Sequence, residues 1–287
     1  MQWFGIDTSR YQGDFNFKQA MTEGVQFAIL KAGGADDGYY RDSQFENSYS
    51  KCKALGLPIG AYYYGNATSV DAARVEADKF LALLNGKQLE MPVFYDVEGK
   101  MLKLDMTLLT DICLAFLERV EAAGWFTGIY GNPNSYNNHL DDKRLTHFCH
   151  WMACYSKTMP SLKSGMSVGI WQFGGGKTNY IRSNIVAGKE CDQDYCYVDY
   201  PSAIKDLGLN GYGKEYDIAK PVLSYGDMNN HIVLLQENLK ALGYDVVADG
   251  LFDERTRDAV KKWQSSVGLS VTGEYGIEDY NKMVKSL

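Results

Sequence analysis

Asp96 and Glu98 stand one residue apart at the end of the apolar run Pro92 to Tyr95, in the stretch PVFYDVEG. An apolar run of that length reads as a strand, and on a strand residues two apart point to the same face, their Cα atoms about 6.6 Å apart. Two carboxyls on one face repel when both are ionised. That repulsion raises one pKa and leaves a protonated acid beside an ionised one. Cleavage of a glycosidic bond uses this pairing: an acid for the leaving oxygen and a negative charge near the developing cation. Comparable acids recur. Asp7 ends the run GIDTS, and Asp192 and Asp194 lie in ECDQDYCY. A single acid at a strand end is as readily a helix cap or a solvated loop residue. Asp7, Asp96, Glu98 and Asp192 together resist that explanation, because burial of unpaired charge is expensive.

The elements that must position them are short β-rich runs, each ending in polar or glycine residues: WFGIDTS, FAILKAGG, PIGAYYYG, PVFYDVEG, WFTGIYG, HWMACYS, VGIWQFGG and the less regular ECDQDYCY. Helical patterns separate several of them. SVDAARVEADKFLALLNG offers Val75, Phe80, Leu81 and Leu84 as a buried face, and MTLLTDICLAFLERVEAAG offers Leu109, Ile112, Cys113, Phe116 and Val120, with glycine stops at Gly86 and Gly124. Between the fifth and eighth runs the intervening sequence is less helical. Strands alternating with helices predict a parallel sheet, and eight near-continuous apolar runs predict a barrel covered on its outside. The fold class is therefore α/β: an incomplete TIM-like (β/α) barrel of eight strands over residues 1–207, with its chemistry at the C-terminal strand ends. In a closed barrel the first and eighth strands are neighbours, which brings Asp7 and Asp192 together across from the fourth strand.

Residues 208–221, glycine-rich and polar up to Pro221, read as a linker. Residues 222–287 change pattern and predict a small all-α domain of three helices. HIVLLQENLKALGY places Ile232, Leu235, Leu239 and Leu242 on one face; DERTRDAVKKWQSSVG does the same with Ala259, Val260, Trp263 and Val267, capped at Asp253 and stopped at Gly268. DGLFDERT and TGEYGIED form a weak internal repeat: a glycine, an aromatic two residues on, then a polar cap.

The composition excludes several classes. The formal charge is 29 − 36 = −7 with no basic block, which argues against nucleic acid and anionic membrane as partners. No apolar run reaches the length of a membrane span. The opening MQWFGIDTSRYQG has neither a basic segment nor an apolar signal core. The expectation is synthesis in the cytoplasm without a classical export signal. The six cysteines lack a disulfide-framework spacing, and Cys191 and Cys196 fall on opposite faces of an extended segment. HFCHWMAC matches no standard zinc spacing, so no metal and no other cofactor is expected.

In order along the chain, GIDTSRYQGDFNF, FAILKAG, LGLPIGAYYYG, PVFYDVEG, GIYGNPNSY, HWMACY, GIWQF and CDQDYCY resemble glycoside hydrolase family 25, the muramidases or lysozymes of phage and bacterial origin. The resemblance covers residues 1 to about 207. It implies cleavage of the β-1,4 bond between N-acetylmuramic acid and N-acetylglucosamine, hence bacterial peptidoglycan as partner and action at the cell wall. Glu98 falls on the family's proton donor, Asp96 on its partner, and Asp7 and Asp192 on two further acids of the pocket. The chain departs from many members in AGGADDG after the second strand and in Tyr63 after the strand-three tyrosine. LQENLKALGY, DGLFDERTRDAVKKWQ and GLSVTGEYG resemble the three-helix peptidoglycan-binding module of wall hydrolases.

Under this resemblance Glu98 protonates the leaving oxygen, and Asp96 orients the substrate's 2-acetamido group for attack on C1, with retention. Inversion through a water activated by Asp7 or Asp192 is the alternative. Tyr62, Tyr64, Tyr130, Trp151 and Gln172, near strand ends, are candidate groove residues, since aromatic faces stack on sugars. A chitinase of the longer acidic motif is set aside, because Val93 and Phe94 occupy the places where it needs acids. A non-catalytic wall-binding protein would have lost acids that this chain keeps. A phage endolysin is the expected setting and a bacterial autolysin the alternative; no residue pattern bears on oligomeric state.

Overall fold

Each of the eight runs forms a strand in the computed structural model, which describes residues 2–163, 167–213, 222–227, 230–249 and 251–283. They are β1 (Trp3–Thr8), β2 (Phe27–Gly34), β3 (Ile59–Tyr64), β4 (Val93–Asp96), β5 (Thr127–Gly131), β6 (Cys149–Ala153), β7 (Ile170–Gly175) and β8 (Asp192–Cys196). β1 pairs with both β2 and β8, so the sheet closes on itself. Alternate side chains divide between two cores, as the pleat requires. Phe27, Ile29, Phe94, Trp151, Ile170 and Cys196 fill the barrel. Their neighbours Ala28, Leu30, Val93, Tyr95, Met152 and Trp171 pack outward under the helices. Cys191 lies in the outer core and Cys196 in the inner one, on opposite faces as their spacing requires. The interior is tight enough to demand glycine in places: a Cβ on Gly60 would sit 2.5 Å from the Pro92 carbonyl oxygen.

The expectation of an all-parallel sheet is corrected at one strand. β1 to β7 run parallel, but β8 is antiparallel to both β7 and β1. A parallel return needs a crossover of a dozen or more residues, usually helical. The segment between β7 and β8 instead folds into hairpins: Thr178–Asn179 pairs back on β7, and Ile185–Val186 pairs with Lys189–Glu190. The chain therefore re-enters the barrel from the rim where the other strands end. This reversal puts Asp192, the first residue of β8, opposite Asp7 near the end of β1. In a parallel β8 its first residue would lie at the far end of the barrel.

Helices α1 (Phe17–Thr22), α2 (Phe45–Leu55), α3 (Val70–Leu84) and α4 (Met106–Ala122) cover the first half of the barrel. Past β5 the connections carry, among the described residues, a π-turn at Ser135–His139, a 3-10 turn at Asp142–Leu145 and hairpins, before α5 (Tyr200–Asp206). The covering is incomplete, as the weaker helical periodicity implies. On α4 the five residues named from periodicity are all buried. On α3 the face is rotated: Val75 is exposed, and Ala73, Glu76, Ala77, Phe80 and Leu84 are the buried set. The physical reason is Glu76. Its carboxylate accepts the Tyr95 hydroxyl at 2.7 Å and the Asn66 backbone N–H at 3.2 Å, so an acid occupies a core position that hydropathy assigns to solvent. Tyr95 in turn stacks on Phe116 at 3.8 Å, fixing the strand residue next to Asp96.

The segment read as a linker starts later than its composition implies. Leu209–Tyr212 belongs to the barrel unit, whose other residues are Met1–Lys205. Asn210 is buried at the base of the barrel. Its side chain accepts the Phe126 N–H at 2.6 Å and donates to the Met91 carbonyl at 2.9 Å, while its backbone bonds Gly124 and Leu89. Glycine and asparagine here serve a positive-φ turn, φ 54° at Asn210, rather than flexibility. The rest of the expected linker, residues 214–221, lies outside the described residues.

The second unit contains α6 (Asn230–Ala241), α7 (Glu254–Val267) and α8 (Ile277–Met283). Ile232, Leu235, Leu239, Val260 and Trp263 form its core with Phe252 and Tyr275. Asp253 caps α7 by accepting the Thr256 N–H at 2.7 Å, and Gly268 ends it at φ 74°. The internal repeat is physical. Gln236 on α6 donates to the Leu251 carbonyl and accepts from the Asp249 N–H; Gln264 on α7 donates to the Glu274 carbonyl and accepts from the Gly273 N–H. Each glutamine thus clamps the turn whose aromatic, Phe252 or Tyr275, enters the core. Gly250 of the first copy lies outside the described residues.

Candidate active site

At the rim where β1 to β7 end and β8 begins, a cavity of about 230 Å³ opens inside the barrel. Its wall is made by Asp7, Tyr62, Tyr64, Asp96, Glu98, Tyr130, Trp151, Gln172 and Asp192, the nine residues singled out from sequence, with Ser9, Tyr11, Gln12 and Lys31. The strands explain the convergence. Asp96 ends β4 between Tyr64 of β3 and Tyr130 of β5 in the ladder. Val97, which donates to the Tyr130 carbonyl at 3.0 Å, points into the outer core. Alternation therefore returns Glu98 to the face of Asp96, with Asp96 buried at the floor and Glu98 half-buried at the mouth. Asp192 lies on β8, diametrically across the eight-strand ring from β4. Its place is kept by Gly175, where any Cβ would collide with the Asp192 carboxylate.

A hydrogen-bond chain joins the walls. Gln172 donates to Asp7 Oδ2 at 2.7 Å, and its carbonyl accepts the hydroxyls of Tyr130 at 3.0 Å and Tyr155 at 3.3 Å. Trp151 is floor rather than open wall, only 1% exposed, and its indole N–H donates to Asp194 at 2.8 Å. Tyr130 packs on the Trp151 ring at 4.4 Å and Tyr62 meets it edge-on at 5.7 Å. Tyr63, a departure from the resemblance, faces away from the cavity and packs between Phe80 and Phe116. AGGADDG makes a rim hairpin in which Gly33 and Gly34 pair with Arg41 and Tyr40.

Sequence reasoning missed Lys31, Tyr155, Tyr11, Ser9 and Gln12. Lys31 had a signal: it is the one charge in the strand run FAILKAGG. Its ammonium lies over the Tyr64 ring at 4.9 Å and 5.8 Å from those of Tyr40 and Tyr62. Cation–π contacts of this kind hold a lysine where no carboxylate is in direct contact. Ser9 and Gln12 form a capping box that fixes the loop carrying exposed Tyr11.

Burial sets the electrostatics. It raises Asp96 well above the ordinary carboxylate range, and the nearby Glu98 charge adds to this; Lys31 opposes it. Burial also raises Glu98, again opposed by Lys31 and reinforced by Asp192. Burial raises both acids, and resting proton affinity does not sort the two into acid and base. The pair titrates as one unit and holds one proton more readily than either carboxyl alone. On the far wall burial and the charges of Asp192 and Asp194 raise Asp7. Asp192 is lifted by burial to about 6, against the opposing influence of the nearby Gly176 N–H.

The sequence profile described as Glycosyl hydrolases family 25 matches residues 6–179, more than half of the chain. The chain belongs to glycosyl hydrolase family 25. A second profile, for a peptidoglycan binding domain, matches residues 229–283. Among relatives of this family 25 chain, the autolytic lysozyme of Clostridium acetobutylicum is 24% identical over 283 residues, 95% of this chain and 76% of that protein. In structure, the CTP1L endolysin superposes with a TM-score of 0.59 at 24% identity, over 83% of this chain and 80% of the other. The modular autolysin LytC of Streptococcus pneumoniae gives a TM-score of 0.60 at 19% identity over 68% of this chain. The family 25 chain spans about half of LytC, 47% of its length.

The Asp192 shift has a consequence for stability. Folded Asp192 keeps its proton up to about pH 6, whereas the unfolded chain releases it near 3.8. Between those values the folded state binds more protons, so stability falls as pH rises through the window. Asp192→Asn is expected to melt with the unaltered protein at pH 4 and several degrees above it at pH 7. A variant less stable at pH 7 than at pH 4, relative to the unaltered chain, would contradict the assignment.

Proposed function

We propose that the barrel is an N-acetylmuramidase that cuts the β-1,4 bond between N-acetylmuramic acid and N-acetylglucosamine in bacterial peptidoglycan. The observation that carries this reading is the Asp96–Glu98 pair at the end of β4, inside a polar cavity of a family 25 barrel. Access supports Glu98 as the acid: it stands half-buried at the mouth, where a glycosidic oxygen can reach it. Asp96, at the floor, orients the acetamide of the muramic acid and faces the positive charge of the oxazolinium that forms when the acetamide oxygen attacks C1. Water then opens that ring with Glu98 as base, and the configuration is retained. The reactive form of the pair holds one proton, so activity rises as the first proton leaves the pair and falls as the second does. Tyr62, Tyr64 and Tyr130 present the aromatic surface for sugar rings, and Lys31 limits the negative charge that the empty cavity must hold. Release by a phage and turnover by the cell itself would use the same chemistry.

The test is digestion of purified walls with mass spectrometry of the fragments. New reducing ends on muramic acid are expected; reducing ends on glucosamine alone would overturn the assignment. Glu98→Gln keeps the shape but removes the transferable proton, and turnover is expected to fall by roughly a hundredfold or more with folding intact. Lysis near the unaltered rate would remove Glu98 as the acid.

The second unit we infer to be a wall anchor, supported by the profile match over residues 229–283. Anchoring raises the local enzyme concentration without altering the chemistry. A chain ending after Gly213, which keeps Asn210 in the barrel base, is expected to cut soluble glycan fragments at the full rate and intact walls more slowly. Equal rates of the two chains on intact walls would remove the anchoring role.

A further inference from the structure

Asp194 is a buried acid that the proposed reaction does not use. It sits on β8, two residues along from Asp192, and its ladder partners are Gly5 of β1 and Gln172 of β7. It is wholly inaccessible, 0% exposed, so no substrate touches it. Its Oδ1 accepts the Trp151 indole N–H at 2.8 Å. Its Oδ2 is buried and receives no hydrogen bond from any described residue. Asp7 lies two residues along β1 from Gly5, the ladder partner of Asp194, so alternation puts the two carboxyls on one face as diagonal neighbours. Asp7, in turn, has its Oδ2 taken by the Gln172 amide. Around Asp194 stand Asp7 on β1, Asp192 on β8, Trp151 on β6, Gln172 on β7 and the thiols of Cys191 and Cys196. No cation of the described residues is among them.

Two ionised carboxylates in that enclosure would repel, and Asp194 Oδ2 would be left without a donor. A single proton removes both faults, because a carboxylic acid is a donor as well as an acceptor. We propose that Asp194 and Asp7 share one proton in the folded enzyme at neutral pH, making Asp194 a positioning residue for Asp7. The proton comes from solvent on folding and stays on the pair; no bond to carbon changes. Asp7 is then held at both edges, by the Gln172 amide and by the shared proton, and its negative charge faces the cavity at a fixed angle. The direction of the electrostatics agrees: burial lifts both acids, and each is a neighbour of Asp192. The placement depends on the site described above, but the proton does not depend on which bond that site cuts.

Infrared difference spectroscopy of the full-length chain tests this without turnover, through the carbonyl stretch of protonated carboxylic acids. An asparagine at either position supplies an N–H donor to the remaining carboxylate, so the pair no longer needs a proton. Asp194→Asn and Asp7→Asn are each expected to lose one protonated-carboxyl band at pH 7 relative to the unaltered chain, with circular dichroism confirming the fold. If Asp194→Asn does not fold, Asp7→Asn carries the test alone. A folded Asp194→Asn that keeps the full band intensity would show that the proton is elsewhere. A folded Asp7→Asn that keeps it would show that burial alone protonates Asp194, with no sharing. Either result overturns the proposal.

Discussion

Five carboxyls and one lysine meet at one mouth of a closed barrel, and the remaining architecture answers to the cost of holding them there. Asp7, Asp96 and Asp194 are buried and Glu98 and Asp192 half-buried, with Lys31 as the cation beside them. In water such charges would be solvated; inside a barrel each is stable only with a partner or a proton. The structure supplies both. Gln172 and Trp151 donate to Asp7 and Asp194, and burial moves the acids toward protonation. Stability is surrendered at the site to keep the protons available, the usual trade in an enzyme cavity.

The same constraint explains the order of the layers. The barrel interior is aromatic and aliphatic at Phe27, Ile29, Phe94 and Ile170, and the polar groups of the cavity lie toward the rim. A low-dielectric floor strengthens every interaction above it. Antiparallel β8 is what completes the ring of acids, because only a strand entering from the rim can begin with a site residue. The helices α3 and α4 matter through Tyr95, which is pinned by Glu76 and Phe116 and anchors the strand end that carries Asp96.

Much of this was legible in residue order, and the failures have physical causes. Alternation and glycine stops locate all eight strands, and the spacing of Asp96 and Glu98 places them on one face. The α4 face was legible because its core positions are all apolar or small. The α3 face was not, because a buried glutamate reads as solvent-exposed until its hydroxyl and amide donors are known. The direction of β8 was hidden because an apolar run carries no sign of its orientation; only the helix-poor segment before it hinted at a hairpin return. Asn210 was read as linker since the asparagine and glycines that make a tight docked turn are the same residues that make a flexible one. Lys31 was not legible because a lone lysine in an apolar run carries no sign of its neighbours, and only the closed barrel brings it beside the acids.

In the proposed reaction one wall does the chemistry: the Asp96–Glu98 pair acts with the substrate's own acetamide, while Asp7 and Asp192 shape the field from across the ring. The most direct measurement is proton NMR of a soluble glycan fragment during the first turnovers, reading the anomeric configuration of the new reducing end before mutarotation. The β-anomer should appear first, because attack by the acetamide and then by water inverts the centre twice. Initial release of the α-anomer would mean that water attacks directly from the Asp7–Asp192 wall, and would contradict the division of roles between the two walls.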